Sequence, residues 1–375
     1  MRRLLGFIVV ALIGCVTPTM EWKDTVVHDL LMGPYVLLTA PKSALVAFRS
    51  TSRGRAVVTW TTKDGGKGAQ QASIHYTDLY SALLTDLPVG PMIDYKVKIA
   101  DKVVGAGSFR IGLSPGETKF RFAVFGDTRT NHQVHRAVID GVAKQHVDFY
   151  LHTGDMVEFG GDPEQWLLYF GVERPLMEQA PILPAIGNHD LGNRGYYNRY
   201  FFLDWRTKGQ RYFVTDWGNL RLVALDLDIV CDMCSQYEFV RSALEEGAKQ
   251  GKLMVMFLHY PPYSSGAHGS NLALRAVMAK LAKTYGVELV VTGHDHDYER
   301  TKSIDGTTYI VSGSAGAPIH PVSPHDFTAA ARTEPHYVLV DVDGDQLSVR
   351  AINLRGEVFD SVVIPANPPG GPPPP

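Results

Sequence analysis

Five times in this chain an apolar run of strand-like composition ends on polar residues able to bind a metal. FRFAVF runs into Gly126-Asp127, DFYLHT into Gly154-Asp155, and PILPAI into Gly187-Asn188-His189-Asp190. LMVMFL runs into His259, and LVVT into Gly293-His294-Asp295-His296. Ligand sites in α/β sheets gather at the carboxyl ends of strands, so five such ends can converge on one place. In four of the five a glycine precedes the polar residue. Glycine tolerates unusual φ and lets the backbone come close to whatever is bound.

Each block alone has an ordinary explanation. Gly-Asp after a strand is a common turn, GNHD can open a helix with Asn or Asp as its cap, and HYPP can be a strand that stops at prolines. The conjunction carries the information. Two carboxylates (Asp127, Asp155), one amide oxygen (Asn188) and three imidazoles (His259, His294, His296) suit Zn, Fe or Mn better than Ca or Mg. Six ligands are too many for one tetrahedral zinc. They fit a pair of metal ions bridged by one carboxylate.

The flanking sequence supplies the frame. SALVAFRS, RAVVTWTT, ASIHYT, DYKVKIA and GAGSFRI read as short strands divided by Gly- and Pro-containing turns, which predicts a β-sandwich over residues 33–113. Within it, TDLPVGPMIDYKVKI resembles the corner of a fibronectin type III domain, with Leu87 and Tyr95 in the expected places. LSPGETK (113–119) reads as a linker. Beyond it, apolar runs alternate with the helical stretches HRAVIDGVAKQ, EFVRSALEEGAKQ and NLALRAVMAKLAKTYG. The last places Leu272, Leu274, Val277, Met278, Leu281 and Ala282 at helical spacing. Such alternation predicts an α/β domain over 119–365. Residues 366–375, rich in Pro and Gly, are expected to be a disordered tail.

At the amino terminus a basic MRR precedes 11 apolar residues. A bilayer span needs roughly 20, so residues 1–14 read as a secretory signal. The junction Leu12-Ile13-Gly14-Cys15 resembles a bacterial lipobox. That resemblance implies acylation of Cys15, with 15–32 as a tether, and an exported protein held by lipid at the bacterial cell envelope or in the periplasm; the alternative is a plain signal peptide in which Cys15 is incidental. Cys231 and Cys234, in CDMC, lack a second CxxC to complete a zinc site, and a local disulfide is expected in an exported protein. Lys and Arg number 36 against 39 Asp and Glu, with no run of like charge. Nothing in this pattern argues for a nucleic-acid groove, and no nucleic acid is expected as a structural partner. Oligomeric state has no signature in the chain.

The ordered set GD…GD…GNHD…H…GHDH resembles the calcineurin-like metallophosphoesterase superfamily. With a β-sandwich in front and the ending GHDHDYER, it is most similar to the purple acid phosphatase branch. The resemblance implies an α/β fold of two central mixed sheets flanked by helices, with two metal ions (Fe, Zn or Mn) at one edge. Asp127 and His296 would hold the first metal, Asp155 would bridge, and Asn188, His259 and His294 would hold the second. His189 would contact phosphate and protonate the leaving group, while Asp190 either orients that imidazole or caps the backbone. His268, in SSGAHGS, matches a substrate-contacting histidine. Asp295, between His294 and His296, is expected to point away. The implied reaction is direct attack of metal-bound hydroxide on a small phosphate monoester. Phosphodiesterase action on nucleotides or phospholipid headgroups, and an envelope-anchored binding protein with a decayed site, remain alternatives.

The chain departs from the pattern around the first metal. Purple enzymes place a tyrosine three residues after the bridging aspartate, and other members a histidine two residues after the first aspartate. Here those positions are Glu158 and Arg129. Either Glu158 or water is expected to complete the first metal's shell. Arg129 is a candidate for phosphate binding, since a guanidinium matches phosphate oxygens, or else forms a salt bridge. Arg300 is expected to pair with an internal carboxylate. Without the tyrosine the protein should be colourless, and an intense visible charge-transfer band on reconstitution with iron would show otherwise.

Overall fold

The computed structural model describes residues 30–227 and 235–367. Cys15, Cys231 and Cys234 lie outside the described residues. The amino-terminal region holds β1 (Leu30–Ala40), β2 (Ser43–Ser50), β3 (Ala56–Thr62), β4 (Lys67–Gln71), β5 (Ser73–His75), β6 (Leu79–Leu84), β7 (Ile93–Ile99) and β8 (Lys102–Phe109). They form two four-stranded antiparallel sheets, ordered β1-β2-β6-β5 and β4-β3-β7-β8. Strand β7 alternates strictly, turning Ile93, Tyr95, Val97 and Ile99 inward and Asp94 and Lys96 outward. These meet Val36, Val46 and Phe48 of the opposite sheet in a fibronectin type III-like sandwich. Leu87 and Tyr95, the corner pair, are both buried.

Strand β1 opens at Leu30, inside the stretch expected to be tether, and is buried on both faces. Val36 and Leu38 join the sandwich core, while Met32, Tyr35 and Leu37 pack with Trp166 and Phe170 of the neighbouring α/β region. Polar contacts reinforce the junction. Tyr35 Oη donates to the Tyr200 carbonyl at 2.6 Å, and the Arg174 guanidinium donates twice to the Gly33 carbonyl at 2.9 and 2.6 Å.

The remainder runs β9 (Lys119–Phe125), α1 (His132–Ala143), β10 (Phe149–His152), α2 (Pro163–Met177), β11 (Ile182–Pro184), α3 (Tyr196–Tyr200), α4 (Leu203–Arg206), β12 (Phe213–Trp217) and β13 (Leu220–Ala224). It continues with α5 (Ser235–Lys249), β14 (Leu253–Phe257), α6 (Leu272–Tyr285), β15 (Leu289–Thr292), β16 (Tyr298–Thr301), β17 (Thr308–Ser312), β18 (Thr328–Arg332), β19 (His336–Asp343), β20 (Gln346–Asn353) and β21 (Val358–Pro365). A six-stranded sheet, β11-β10-β9-β19-β20-β21, faces a seven-stranded one, β12-β13-β14-β15-β17-β16-β18. Both are mixed. Strands β9, β10 and β11 are mutually parallel, as are β13, β14, β15 and β17.

Strands buried on both faces carry near-continuous apolar sequence, which explains FRFAVF and LMVMF. Phe122, Val124, Phe149 and Leu151 of one sheet pack between the layers with Leu222, Val255, Phe257 and Val291 of the other. Helices α1 and α2 cover the first sheet's outer face, and α5 and α6 the second's. Leu272, expected on the buried stripe of α6, is instead 68% exposed because it opens the first turn, directly after the Asn271 cap. Helix α2 carried no clear periodic signal. It packs against both β1 and α1, so apolar residues surround it and the stripe disappears.

Residues 366 and 367, expected in the disordered tail, are docked. The Ala366 N–H donates to Asp345, and the Asn367 side chain donates to the carbonyls of Gly286, Val287 and Gly306. The Asn367 N–H donates to the buried carboxylate of Glu288 at 2.9 Å, satisfying an acceptor that burial would otherwise strand. Arg300 pairs with Asp360 through two bonds of 2.7 and 3.0 Å, a partner 60 positions away.

His336 is fully buried between Ser312 and Ser314, and burial lowers its imidazole from 6.5 to about 4. Below pH 6.5 the unfolded chain binds a proton that the folded chain refuses. Stability therefore falls as pH drops from 6.5 towards 4, by about 1.4 kcal/mol per pH unit at most. In metal-free buffer the fall in melting temperature between pH 7 and pH 5 should be smaller in His336→Asn than in the parent. Equal falls would assign the acid sensitivity to another group.

Candidate metal centre

The five polar blocks meet where strands of both sheets end. Asp127 follows β9, Asp155 follows β10, and Asn188–Asp190 follow β11. From the facing sheet His259 follows β14, and His294–His296 follow β15. Asp127, Asp155 and His259 are buried and present ligand atoms within 4.8 Å of one another. His259 Nε2 lies 3.4 Å from Asp155 Oδ1, 3.1 Å from Asn188 Oδ1 and 3.2 Å from His294 Nδ1. At the other end, His296 Nε2 lies 3.6 Å from Asp127 Oδ1. The two histidines of GHDH thus face different ends of the cluster.

The local backbone is bent to achieve this. Asp127 (φ 56°), Asp155 (φ 55°) and His294 (φ 72°) all adopt the left-handed conformation. For a residue with a Cβ that costs of order 1 kcal/mol or more and persists only where the surroundings enforce it. Neighbouring glycines make room. A Cβ on Gly187 would lie 2.1 Å from Asp155 Oδ1, and one on Gly293 would lie 2.3 Å from Asp127 Oδ2.

Backbone groups fix the rings. His259 Nδ1–H donates to the Thr153 carbonyl at 2.9 Å and His296 Nδ1–H to the Pro318 carbonyl at 2.7 Å. Both leave Nε2 free to act as a ligand. Burial lowers His294 to about 3 and His296 to about 4, so both imidazoles are neutral, the form that binds metal. Burial opposes charge on His259 too, but Asp155 and Asp127 outweigh it and raise the group to about 9. Burial raises Asp127 well above the usual carboxylate range. For Asp155 burial acts in the same direction but is outweighed, chiefly by His259, and the carboxyl is held low.

The structure resolves the open alternatives for Asp190. Its carboxylate does not meet the His189 ring. It accepts the N–H groups of Asp155, Met156, Val157 and Gly187 at 2.8–3.2 Å, clamping the β10 and β11 loops together. The His189 ring is oriented instead by the Glu158 carbonyl, 2.9 Å from Nδ1, which leaves Nε2 3.9 Å from Asp155 Oδ2. Asp295 is fully buried and accepts the His268 N–H at 2.7 Å and the Ser264 hydroxyl, so it braces the 264–268 loop. The His268 ring stacks on that of His294, with centroids 4.4 Å apart.

Glu158 does not reach Asp127 or His296 among the described contacts. It accepts from Arg129 Nη1 at 2.7 Å and from Thr130 Oγ1 at 2.6 Å. Arg129 lies over the cluster, Nε 3.4 Å from Asp155 Oδ2 and Nη2 3.4 Å from His296 Nε2. Sequence reasoning missed His320, whose ring stacks on His296 at 4.4 Å. It follows β17, another strand running into glycine, but the intervening Gly-Ser-Ala-Gly-Ala-Pro-Ile carries no ligand type to mark it.

A metal fits the donors present. Among the described residues Asp127 Oδ1 is buried without a hydrogen-bond partner. Such a carboxylate oxygen is costly unless a cation meets it; the neutral imidazoles of His294 and His296, the His259 ring once a metal displaces its proton, and the Asn188 amide oxygen complete a borderline-metal donor set.

Buried carboxylates and imidazoles at the joined ends of two facing sheets define an α/β protein with a candidate metal centre. Residues 120–298 match the family described as calcineurin-like phosphoesterase. The family implies a dinuclear metal centre. The chain is 23% identical over 258 residues to purple acid phosphatase 22 of Arabidopsis thaliana, covering 64% of this chain and 59% of that one. It is likewise 23% identical over 264 residues to a protein of the same plant named probable inactive purple acid phosphatase 24, covering 59% and 42%. The chain thus spans less than two thirds of the length of these curated relatives. Among solved structures, the purple acid phosphatase from yellow lupin (Lupinus luteus) seeds superposes with a TM-score of 0.76 at 18% identity, covering 89% of this chain and 74% of that one. PhoD superposes at 0.69 and 12% identity, covering 90% and 89%. At these identities the superpositions show a shared fold.

Asp190→Ala removes the acceptor of four backbone N–H groups, each costing about 1–3 kcal/mol when left buried and unpaired. Urea unfolding should show a loss of about 3 kcal/mol or more, and a smaller loss in Asp190→Asn, which keeps one acceptor oxygen. Near-parent stability in the alanine variant would contradict the clamp.

Proposed function

We propose that the chain is a metal-dependent phosphoester hydrolase acting on small phosphate monoesters. The observation that carries this reading is the convergence of Asp127, Asp155, Asn188, His259, His294 and His296 at the carboxyl ends of five strands, within a calcineurin-like phosphoesterase domain. Asp127 and His296 would hold one metal, Asn188, His259 and His294 the other, with Asp155 shared. When bound, the metals neutralise phosphoryl oxygens and acidify water for hydrolysis.

The remaining residues act around that centre. Because His189 Nδ1–H is taken by the Glu158 carbonyl, only Nε2 can serve the substrate. In the imidazolium form Nε2 gives its proton to the departing alkoxide as general acid, while the Nδ1 bond keeps the ring aimed. Arg129 presents fixed positive charge on one side of the centre, and His268 borders the His294 end on another, both placed to meet phosphate oxygens. Asp190 and Asp295 hold loops and touch no substrate.

The test uses metal analysis together with hydrolysis of p-nitrophenyl phosphate and bis(p-nitrophenyl) phosphate. His259→Ala should lose bound metal and turnover together. His189→Ala should keep its metal and lose about 10²–10⁴ in kcat. Faster turnover of the diester would move the assignment to a phosphodiesterase. Undiminished activity in His259→Ala, or a metal-loaded but inert parent, would overturn the proposal.

A further inference from the structure

Arg129 lies where its charge matters to the metal pair itself. We infer that its guanidinium sets the loading of the Asp127–His296 position, so that the protein holds one metal firmly at the Asn188–His259–His294 end and a second only weakly. The inference rests on the metal-centre reading above.

Two cations compete for one lone pair. His296 Nδ1–H is committed to the Pro318 carbonyl at 2.7 Å, so Nε2 carries the ring's lone pair. That lone pair faces Asp127 Oδ1 at 3.6 Å, as a ligand of a shared metal should. It is also the acceptor that Arg129 Nη2 approaches at 3.4 Å. A guanidinium keeps its protons in proteins and offers donors only, so it cannot become a ligand. It can only occupy the acceptor or repel the cation.

The guanidinium is also held in place. Nη1 donates to Glu158 Oε2 at 2.7 Å, and that same oxygen is fixed by Thr130 Oγ1 at 2.6 Å. Nε has no hydrogen-bond partner among the described residues and lies 3.4 Å from Asp155 Oδ2, the carboxylate both positions would share. The Arg129 side chain is 12% exposed, so little solvent screens it.

The two ends of the cluster differ in charge. Among the described residues no lysine or arginine hydrogen-bonds or ion-pairs with Asn188, His259 or His294, whose ligand atoms face one another at 3.1–3.2 Å. Apart from the His259 proton, which an incoming metal can displace, that end carries no cationic side chain among the described residues, whereas the other holds a guanidinium whose charge cannot be titrated away. Arg129 thereby supplies, as a fixed side-chain charge, part of what a second ion contributes.

The effect can be counted without reference to turnover. The full chain, stripped of metal, is titrated with Mn²⁺ by calorimetry, and after loading and desalting its metal is counted by mass spectrometry. The parent should keep close to one Mn²⁺ and show a second, weaker event. Arg129→Ala and Arg129→Gln should tighten that event by about tenfold or more, the effect of removing a like charge a few ångströms away, and keep close to two. Arg129→Gln, which nearly preserves length, is read if the alanine variant does not fold. Two ions retained by the parent, or unchanged loading in the folded variants, would overturn the inference and leave the proposed function standing. Metal-free protein in every case would overturn both.

Discussion

The hydrogen bond from the His259 ring to the Thr153 carbonyl ties the ends of two different sheets. Thr153 ends the β10 segment and His259 the β14 segment, and the rest of the centre is referenced to that crossing. It brings Asp155, next but one to Thr153, within 3.4 Å of the same imidazole. Separation of the two layers would leave each sheet with an incomplete ligand set. The packed interlayer core, with Phe122 and Phe149 against Leu222 and Phe257, keeps that distance fixed.

Around this crossing lies a shell of groups that act on backbone. Asp190 gathers four N–H groups of the β10 and β11 loops, Asp295 braces the 264–268 loop, and carbonyls of Glu158 and Pro318 aim His189 and His296. A ligand set with left-handed aspartates and closely approached glycines needs such bracing, because its backbone is not at a local minimum. The amino-terminal sandwich belongs to the same supporting system. Strand β1 shares a core with α2, and α2 shares one with the outer face of the sheet bearing Asp127 and Asp155. The sandwich is therefore packed into the α/β region rather than strung beside it.

Much of this was readable from the chain. The strands of the α/β layers appeared as apolar runs because parallel strands buried on both faces need no alternation. Helices α1, α5 and α6 showed helical spacing because each rests one face on a sheet. Helix α2, walled by β1 as well as by α1, lost its stripe and its signal. Residues 366 and 367 looked like tail because Pro and Gly fill positions 368–375, whereas a buried Glu288 carboxylate recruits them.

By itself the sequence determined which residue types end the five strands, and hence that oxygen and nitrogen donors would collect at one edge of an α/β fold. Spacing along a chain says nothing about direction, however. Only the tertiary structure sent His294 towards His259 and His296 towards Asp127, turned Asp190 to the backbone and paired Glu158 with Arg129. It also added His320 from a strand end without a motif. The physical reason is that side-chain direction at these positions depends on left-handed backbone, glycine clearance and hydrogen bonds to segments from 22 to 167 residues away, none of which a local pattern encodes.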